Sequence, residues 1–347
     1  MKSLKVLLLF DLSMNLPTAE YANYWNTPDW KPERDVKNTL TKLGHEVIPF
    51  GIFDDVEAFV KVVKEQKPDL VFNMSEAFSN KRDFEPNLTA LMQMLGVPFT
   101  GSGPRSLQLC KDKGLTKIIL DYHDIQTPKF IVAKKTHPMP SLKKFQFPAF
   151  VKPLELESSE GISQGSYVEN EKDALARVKF IHDRFGADAI IEEFIDGREV
   201  YVGILGNDKL SVFPPRELFF TEIPDNEPKF ATYKSKWDQE YRKKWGIDSG
   251  WMADMPEATH KKMNDMCKKI YRLLHIQGFG RIDLRVRGDD VYFIEANPNP
   301  SIAKKEDYAL SANKSGMDYE ELIGKIVSLS LSAFENENTT PIDRKAS

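Results

Sequence analysis

Five consecutive apolar residues, Val6-Leu-Leu-Leu-Phe10, stand between Lys5 and Asp11. A strand without polar alternation must be covered on both faces, as in a parallel sheet flanked by helices. The next hundred residues keep to that plan. Glu33 to Leu43 has helical spacing, with Val36, Leu40 and Leu43 on one face and Gly44 where a helix stop belongs. Glu46–Phe50 reads as a second strand, Val56 to Lys64 as an amphipathic helix, Leu70–Phe72 as a third strand, and Leu88 to Leu95 as a helix stopped at Gly96. Pro98 to Pro104 reads as a short strand and a turn. Strand and helix in alternation imply an α/β domain with a mostly parallel sheet. No Gly-x-Gly-x-x-Gly follows the first strand, which argues against a dinucleotide-binding oxidoreductase.

The rhythm changes after about Lys111. Leu115–Tyr122 reads as helix, and Lys129–Ala133 and Phe147–Pro153 as strands. A polar loop, Glu155 to Gly165, follows Lys152. Ala174–Phe185 is helical, and Ile190–Phe194, Val200–Leu205 and Lys209–Pro214 read as strands. Phe230 to Trp251 reads as a loop rich in Lys, Tyr and Trp. Thr259 to Leu274 is a long amphipathic helix. Arg281–Arg287 and Val291–Glu295 form a hairpin about Gly288-Asp289-Asp290. The polar stretch after Phe334 is expected to be disordered. At 347 residues the chain suits two or three domains around a cleft. Its net charge of −4 gives no general pull towards nucleic acid or an anionic membrane. No apolar run is long enough to span a bilayer. Val6–Phe10 runs into Asp11 without a cleavage site, so a cytoplasmic protein is expected. Cys110 and Cys267 have neither disulfide nor metal spacing and read as reduced and structural.

Three constellations carry chemistry. Arg281 and Asp283 are two apart on one strand, so they project to one face; Glu295 and Asn297 do the same on its partner. Oxygens of Asp283, Glu295 and Asn297 make a hard-cation site suited to Mg²⁺, and an arginine beside it can hold an oxyanion. The alternative is a solvated charged hairpin, but Ile282, Leu284 and Ile294 alternate with the acids, as on a strand with one face in a core and one in a cleft. Second, Lys152 ends an apolar strand just before a Ser/Gly-rich loop containing Ser158, Ser159 and Gly161. Such a loop can cradle phosphate oxygens, with Lys152 and Lys113 as point charges; the alternative is an ordinary connection. Third, Glu192-Glu-Phe-Ile195-Asp-Gly197-Arg-Glu199 is a strand end that can offer backbone groups to a purine and a carboxylate to a ribose; taken alone, the stretch reads rather as an exposed acidic turn.

In order, these stretches resemble the ATP-grasp fold, and within it the D-alanine–D-alanine ligases. The likeness runs through Pro98-Phe-Thr-Gly-Ser-Gly103, Cys110-Lys-Asp-Lys113, Phe150-Val-Lys152-Pro153, Ser158-Ser159-Glu-Gly161, Glu193 to Glu199, Gly278-Phe-Gly-Arg281-Ile-Asp283 and Glu295-Ala-Asn297. The resemblance implies an N-terminal Rossmann-like domain over 1–105 and a two-lobed ATP-grasp domain, with lobes at 106–191 and 192–335, then a tail at 336–347. It implies an ATP-dependent carboxylate–amine ligase that works through an acyl phosphate. Lys113 and Lys152 would contact the phosphates. Glu192, Glu193, Phe194 and Ile195 would line the adenine pocket together with Ile294, and Glu199 would hold the ribose. Asp283, Glu295 and Asn297 would bind Mg²⁺, usually two ions, with Mn²⁺ as a substitute. Arg281 would steady the oxyanion. Ser159 belongs to the catalytic loop, and Lys236, within Tyr233-Lys-Ser-Lys-Trp237, to a mobile lid. The implied partners are small carboxylates and amines, amino acids among them, and a second copy of the chain as a homodimer.

The substrate end departs from the family pattern. The turn that carries an acidic residue for the donor amine is replaced by a longer insertion, Leu12 to Pro32, with Tyr21, Tyr24, Trp25 and Trp30. Glu20 and Glu33 are the candidates for that acid. The insertion either walls a larger donor pocket or covers the sheet edge. Glu76-Ala77 stands where the family has His-Gly. Ser301 and Glu306 replace a Gly and a Ser that hold the acceptor; Lys304 or Lys305 can bind an acceptor carboxylate, but the run reads first as a solvated charge cluster. The rivals are a true D-alanine–D-alanine ligase, an ATP-grasp small-molecule kinase and a nucleotide-binding regulatory module without turnover, against which the complete Arg281, Asp283, Glu295 and Asn297 set argues.

Overall fold

The computed structural model describes residues 2–224 and 227–339. The first unit holds strands β1 (Lys5–Asp11), β2 (Glu46–Ile52) and β3 (Leu70–Asn73), in the order β2-β1-β3 and all parallel. β1 is central, and residues 6–10 are almost fully buried, as an uninterrupted apolar strand requires. Helices α1 (Lys31–Lys42), α2 (Val56–Gln66) and α3 (Glu85–Leu95) cover the sheet. The chain enters at β1, moves to β2 on one side and crosses to β3 on the other. The carboxyl end of β1, at Asp11, is therefore the switch point where an open α/β sheet leaves a crevice.

Helices α4 (Pro104–Lys111) and α5 (Lys113–Tyr122) lead into a second sheet. Its strands β4 (Phe130–Ala133), β5 (Ala149–Pro153), β6 (Tyr167–Val168) and β7 (Ala189–Glu193) run antiparallel in the order β4-β7-β5-β6, backed by α6 (Glu171–Phe185). The third sheet contains β8 (Arg198–Leu205), β9 (Ser211–Val212), β10 (Arg216–Phe220), β11 (Ile247–Trp251), β12 (Phe279–Arg287) and β13 (Asp290–Asn297). Its order is β11-β10-β8-β12-β13, with β9 on β8. Between β10 and β11 lie two short helices, α7 (Tyr233–Trp237) and α8 (Gln239–Lys244); α9 (Glu257–Leu273), α10 (Asp307–Lys314) and α11 (Tyr319–Thr339) complete the chain. No helix among the described residues is long and apolar enough to cross a membrane. Both cysteines are free and buried.

Several elements differ from the reading of the sequence. The strand expected over 209–214 shrinks to Ser211–Val212, because Pro214 and Pro215 have no N–H to continue a ladder. Phe99 makes only a single parallel bridge, to Val71. The segment 230–251 is not one loop. Thr232 caps α7 in a reciprocal box, with its Oγ1 accepting from Ser235 N at 3.1 Å and Ser235 Oγ accepting from Thr232 N at 2.7 Å. Asp238 caps α8, its Oδ1 accepting from Tyr241 N at 3.0 Å. Helix α11 runs to Thr339, through the first residues of the expected tail; residues 340–347 lie outside those described.

α11 returns to the first unit. Leu322, Ile323, Ile326 and Val327 are buried in one cluster with Val6, Val36, Leu40 and Leu70. Each such side chain contributes about 1.5–3 kcal/mol by leaving water, so the two ends of the chain form one core. Gly101–Gly103 docks there as well. Ser102 N donates to Asn299 Oδ1 at 2.8 Å, and a Cβ on Gly101 would meet that oxygen at 2.4 Å. The Pro98–Gly103 motif thus fastens the first unit to the loop after β13.

Candidate active site

Residues of β5 and β7 from one sheet, and of β8, β12 and β13 from the other, line a single cleft. Within its wall are Lys152, Ser159, Glu192, Glu193, Phe194, Ile195, Glu199, Lys236, Asp283, Ile294 and Glu295. Lys113, Arg281 and Asn297 are not part of the wall but adjoin it.

The acidic end is the β12–β13 hairpin. Asp283 lies opposite Glu295, and Arg281 opposite Asn297. The register shifts between Asp283 and Leu284, and this bulge leaves Ile294 without a partner. As a result Ile294 and Glu295, adjacent in sequence, both face the cleft while Phe293 is fully buried. Arg281 grips Asp283 with two donors, Nε to Oδ1 at 2.7 Å and Nη2 to Oδ2 at 2.8 Å. Asn297 Nδ2 donates to Asp283 Oδ2 at 3.2 Å. Burial pushes the Asp283 carboxyl up to about 6 in spite of Arg281. Burial also raises Glu295, but Lys113, Lys152, Lys236 and Arg281 outweigh it and leave that carboxyl lowered to about 2. Glu295 is the more acidic carboxyl of the pair.

The cations reach this end from three elements. Lys152 on β5 is 3% exposed, and its Nζ lies 3.0 Å from Glu192 Oε2. Lys113 opens α5, and its Nζ donates to the carbonyls of Leu154 at 3.3 Å and Leu156 at 2.7 Å, at the root of the Ser159 loop. Lys236 sits on α7, close enough to lower both Asp283 and Glu295. The sequence did not single out Lys117. It is fully buried on α5, with Nζ 3.2 Å from Glu192 Oε1. That contact is an ion pair outside hydrogen-bonding geometry, since Glu192 Oε1 has no hydrogen-bond partner. A signal existed: Lys113, Lys117 and Leu120 share one helix face, so Lys117 lies on the stripe that must be buried.

The opposite end is aromatic. Phe150 and Phe194 stack with ring centroids 6.3 Å apart, and Phe230 meets Phe150 edge-on at 4.9 Å. With Ile195, Leu284 and Ile294 they leave a flat apolar slot. Glu192 is 2% exposed and committed to its two lysines, so its side chain is not free to meet a base. Glu199 is likewise engaged. Its Oε2 accepts from Arg285 Nη2 at 2.8 Å and from Ala231 N at 3.1 Å, and its Oε1 accepts from the Tyr201 hydroxyl at 2.8 Å. Arg285, another residue the sequence did not flag, also donates to the carbonyls of Gly197 at 2.8 Å and Lys229 at 2.9 Å. A Cβ at Gly197 would sit 2.4 Å from Val286 O, so only glycine lets this turn approach β12.

Ser158 and Ser159 both have left-handed backbones, φ 52° and 61°, and Gly161 follows at 74°. Non-glycine residues there cost of order 1 kcal/mol each, and such strain gathers at ligand clamps. Ile162 N donates to Ser159 O at 3.0 Å, which closes the loop. Glu157 ties it to the first unit through Arg82, at 3.3 Å.

The aromatic insertion lies on the sheet. Trp30 and Trp25 meet the Phe10 ring at 5.0 and 5.8 Å, and Tyr24 stacks on Trp30 at 5.4 Å. None of these rings lines the cleft. Glu20 is exposed, whereas Glu33, in the first turn of α1, has a buried Oε2 without a hydrogen-bond partner. Asp11 and Glu76 face it, and Asp11 Oδ1 accepts from Glu76 N at 2.8 Å. Burial pushes Glu33 up to about 7, with Asp11 and Glu76 adding to the rise. A carboxyl that holds its proton more tightly in the folded chain stabilises the fold at low pH, and that contribution is lost as pH rises through about 7. Glu33→Gln is therefore expected to melt roughly 3 °C above the parent at pH 8, with a smaller gap at pH 5. Equal gaps at both pH values would show that Glu33 is ionised throughout. Ser301, Lys304, Lys305 and Glu306 are all exposed, and Lys304 lies 5.7 Å over the Tyr319 ring.

The donor set at the hairpin fits a small divalent cation. Glu295 makes no hydrogen bond or ion pair among the described residues, Asp283 has lone pairs beyond those Arg281 uses, and all donors are oxygens. Among the described residues no group of three or more His, Cys, Asp or Glu is placed to hold a metal. Two carboxylates and an amide are what a cation needs when phosphate and water complete its shell.

Residues 109–328 match the family model described as D-ala D-ala ligase C-terminus. An uncharacterised protein of Sinorhizobium fredii is 27% identical over 86% of this chain and 87% of its own length. The D-alanine–D-alanine ligase of Acetivibrio thermocellus is 29% identical over 81% of this chain and 72% of its own. The D-alanine–D-alanine ligase of Bacillus anthracis, solved with ATP, superposes with a TM-score of 0.73 over 96% of this chain and 100% of that one. At 19% identity, that superposition establishes a shared fold.

Proposed function

The chain belongs to the family described as D-ala D-ala ligase C-terminus, and on that premise we propose that it is an ATP-dependent ligase joining a carboxylate to an amine. The observation that carries the reading is the polarity of one cleft. An aromatic slot for a planar base opens at one end, and Lys152, Lys236, Asp283 and Glu295 converge at the other. A nucleoside triphosphate has the same polarity.

ATP is a substrate in this reading, with its base against Phe150, Phe194 and Ile294 and its phosphates towards Lys152 and Lys236. Glu295, Asn297 and Asp283 would hold Mg²⁺, which supplies charge neutralisation at the phosphates. In the first step a carboxylate oxygen of the donor attacks the γ-phosphorus, the bond to ADP breaks, and an acyl phosphate forms. In the second, the acceptor amine attacks the acyl carbon, phosphate leaves, and the amine loses a proton to solvent. Arg281, held in plane by Asp283, is placed to meet charge developing on the acyl oxygen. The Ser159 loop and α7 border the cleft on one side and exclude water from an intermediate that water destroys. Asp11, Glu33 and Glu76 favour a donor carrying an ammonium group, as amino acids do.

The test is phosphate release from ATP and Mg²⁺ over a matrix of amino-acid pairs, with mass spectrometry of each active mixture. The expected product has the mass of the two partners less water. The acid trio and the exposed, lysine-bearing segment after β13 differ from the family pattern, so D-alanine is not expected to be the preferred partner on both sides. Turnover with D-alanine alone would refute that. ADP release with a phosphorylated product stable to hydroxylamine would mark a kinase instead.

A further inference from the structure

We infer that Lys117 is a positioning residue for phosphate: its buried ammonium neutralises Glu192 and so leaves the charge of Lys152 free to face the cleft. The inference rests on the nucleotide reading above. Lys117 has no exposed side-chain surface and forms no part of the cleft wall, so it cannot touch a ligand. Its Nζ lies 3.2 Å from Glu192 Oε1, while Lys152 Nζ lies 3.0 Å from Glu192 Oε2. One buried carboxylate therefore stands between two ammonium groups, one turned into the core and one at the cleft.

In an interior of low dielectric, a carboxylate 3 Å from a lysine cancels most of that lysine's field. With Lys117 on its other oxygen, Glu192 forms a neutral pair inside the wall, and the net positive charge of the trio lies on the cleft side at Lys152. Lys117 also donates to the carbonyls of Phe293 and Ile294 at 3.3 Å each, and its Nζ sits 5.4 Å from the Phe293 ring. Those carbonyls are on β13, while Glu192 is on β7. The ammonium thus stands at the seam between the sheets that line the cleft and is held from both sides.

The experiment measures binding of ATP, ADP and adenosine to the full chain by calorimetry, for the parent, Lys117→Met, Lys117→Arg and Lys117→Met/Glu192→Gln. In Lys117→Met the full charge of Glu192 falls on Lys152, so ATP and ADP affinity is expected to drop about tenfold while adenosine affinity stays within about twofold. Lys117→Arg keeps the charge and is expected to stay within about threefold for ATP. The double variant removes both buried charges, a change proteins tolerate, and is expected to return ATP affinity to within about threefold of the parent. A purely structural Lys117 predicts no such recovery. If Lys117→Met fails to fold, the double variant decides alone. Recovery supports the inference; a loss of about tenfold or more, or a failure to fold, overturns it. Equal losses for adenosine and ATP in a folded Lys117→Met also overturn it. A parent chain that binds none of the three ligands would overturn the nucleotide reading and this inference together, whereas a parent that binds ATP with variants that depart as stated overturns only the inference.

Discussion

Glu295→Gln is expected to lower ATP turnover by about a thousandfold or more while the chain still melts in one cooperative step. The substitution keeps the volume and planarity of the side chain and removes only its charge. That charge is the better defined of the two at the hairpin. Burial alone would raise the Glu295 carboxyl, yet Lys113, Lys152, Lys236 and Arg281 hold it lowered to about 2. At neutral pH it is ionised, it has no hydrogen-bond partner among the described residues, and it lies directly opposite Asp283. Two measurements separate a metal role from a folding defect. Titration with Mg²⁺ in the presence of ATP is expected to lose its saturable response. Binding of ATP without metal is expected to persist or tighten, because a negative charge facing the phosphates has gone. Parent-like turnover in this variant would refute the metal assignment.

Arg281→Lys is expected to reduce kcat by about a hundredfold to a thousandfold and to leave the KM for ATP within about threefold. Lysine keeps the positive charge but not the fork that meets Asp283 at 2.7 and 2.8 Å. Without that planar grip the cation can wander from the place where the acyl oxygen gathers charge. A catalytic donor that acts only in the transition state shows its loss in kcat; a residue that merely shapes the nucleotide site shows it in KM. A raised KM with kcat unchanged would assign Arg281 to the second role. Steady-state phosphate release across ATP concentrations, at a saturating substrate pair, distinguishes the two.

How much of this was legible beforehand depends on the range of the interaction concerned. The hairpin was legible residue by residue, because a period of two puts Arg281 and Asp283, and Glu295 and Asn297, on common faces whatever surrounds them. The bulge that turns both Ile294 and Glu295 to the cleft was not, since a register shift is a property of two strands and not of one. Short elements escaped for a related reason. Helices of five and six residues have no periodicity to read, and their capping bonds from Thr232 and Asp238 became visible only in the structure. Strand β10 has no counterpart in the reading of the sequence, and it opens with two charged residues, Arg216 and Glu217. They are buried on the strength of distant partners, Arg216 with Asp307 at 2.9 Å and Glu217 with Arg198 at 2.9 Å.

The substrate end makes the same point. Glu20 and Glu33 are equivalent on paper, and only packing buries the Glu33 carboxyl beside Asp11 and Glu76 while Glu20 faces water. Glu192 reads as the edge of an adenine pocket, yet its side chain spends both oxygens on Lys117 and Lys152, which are 75 and 40 positions away in the chain. Glu199 reads as a ribose ligand, and the folded chain sets it in the cleft wall with its orientation fixed by Arg285, Tyr201 and the Ala231 amide. Local pattern was enough for the parallel sheet around Val6–Phe10, for the antiparallel hairpin and for its hard-cation donor set, because apolar periodicity and side-chain direction act within a few residues; the class of chemistry came from the ordered resemblance to the D-alanine–D-alanine ligases. Which charges stay free, which acids lose their water and where α11 comes to rest were decided by the folded chain, because desolvation and ion pairing depend on groups that only tertiary contacts bring together.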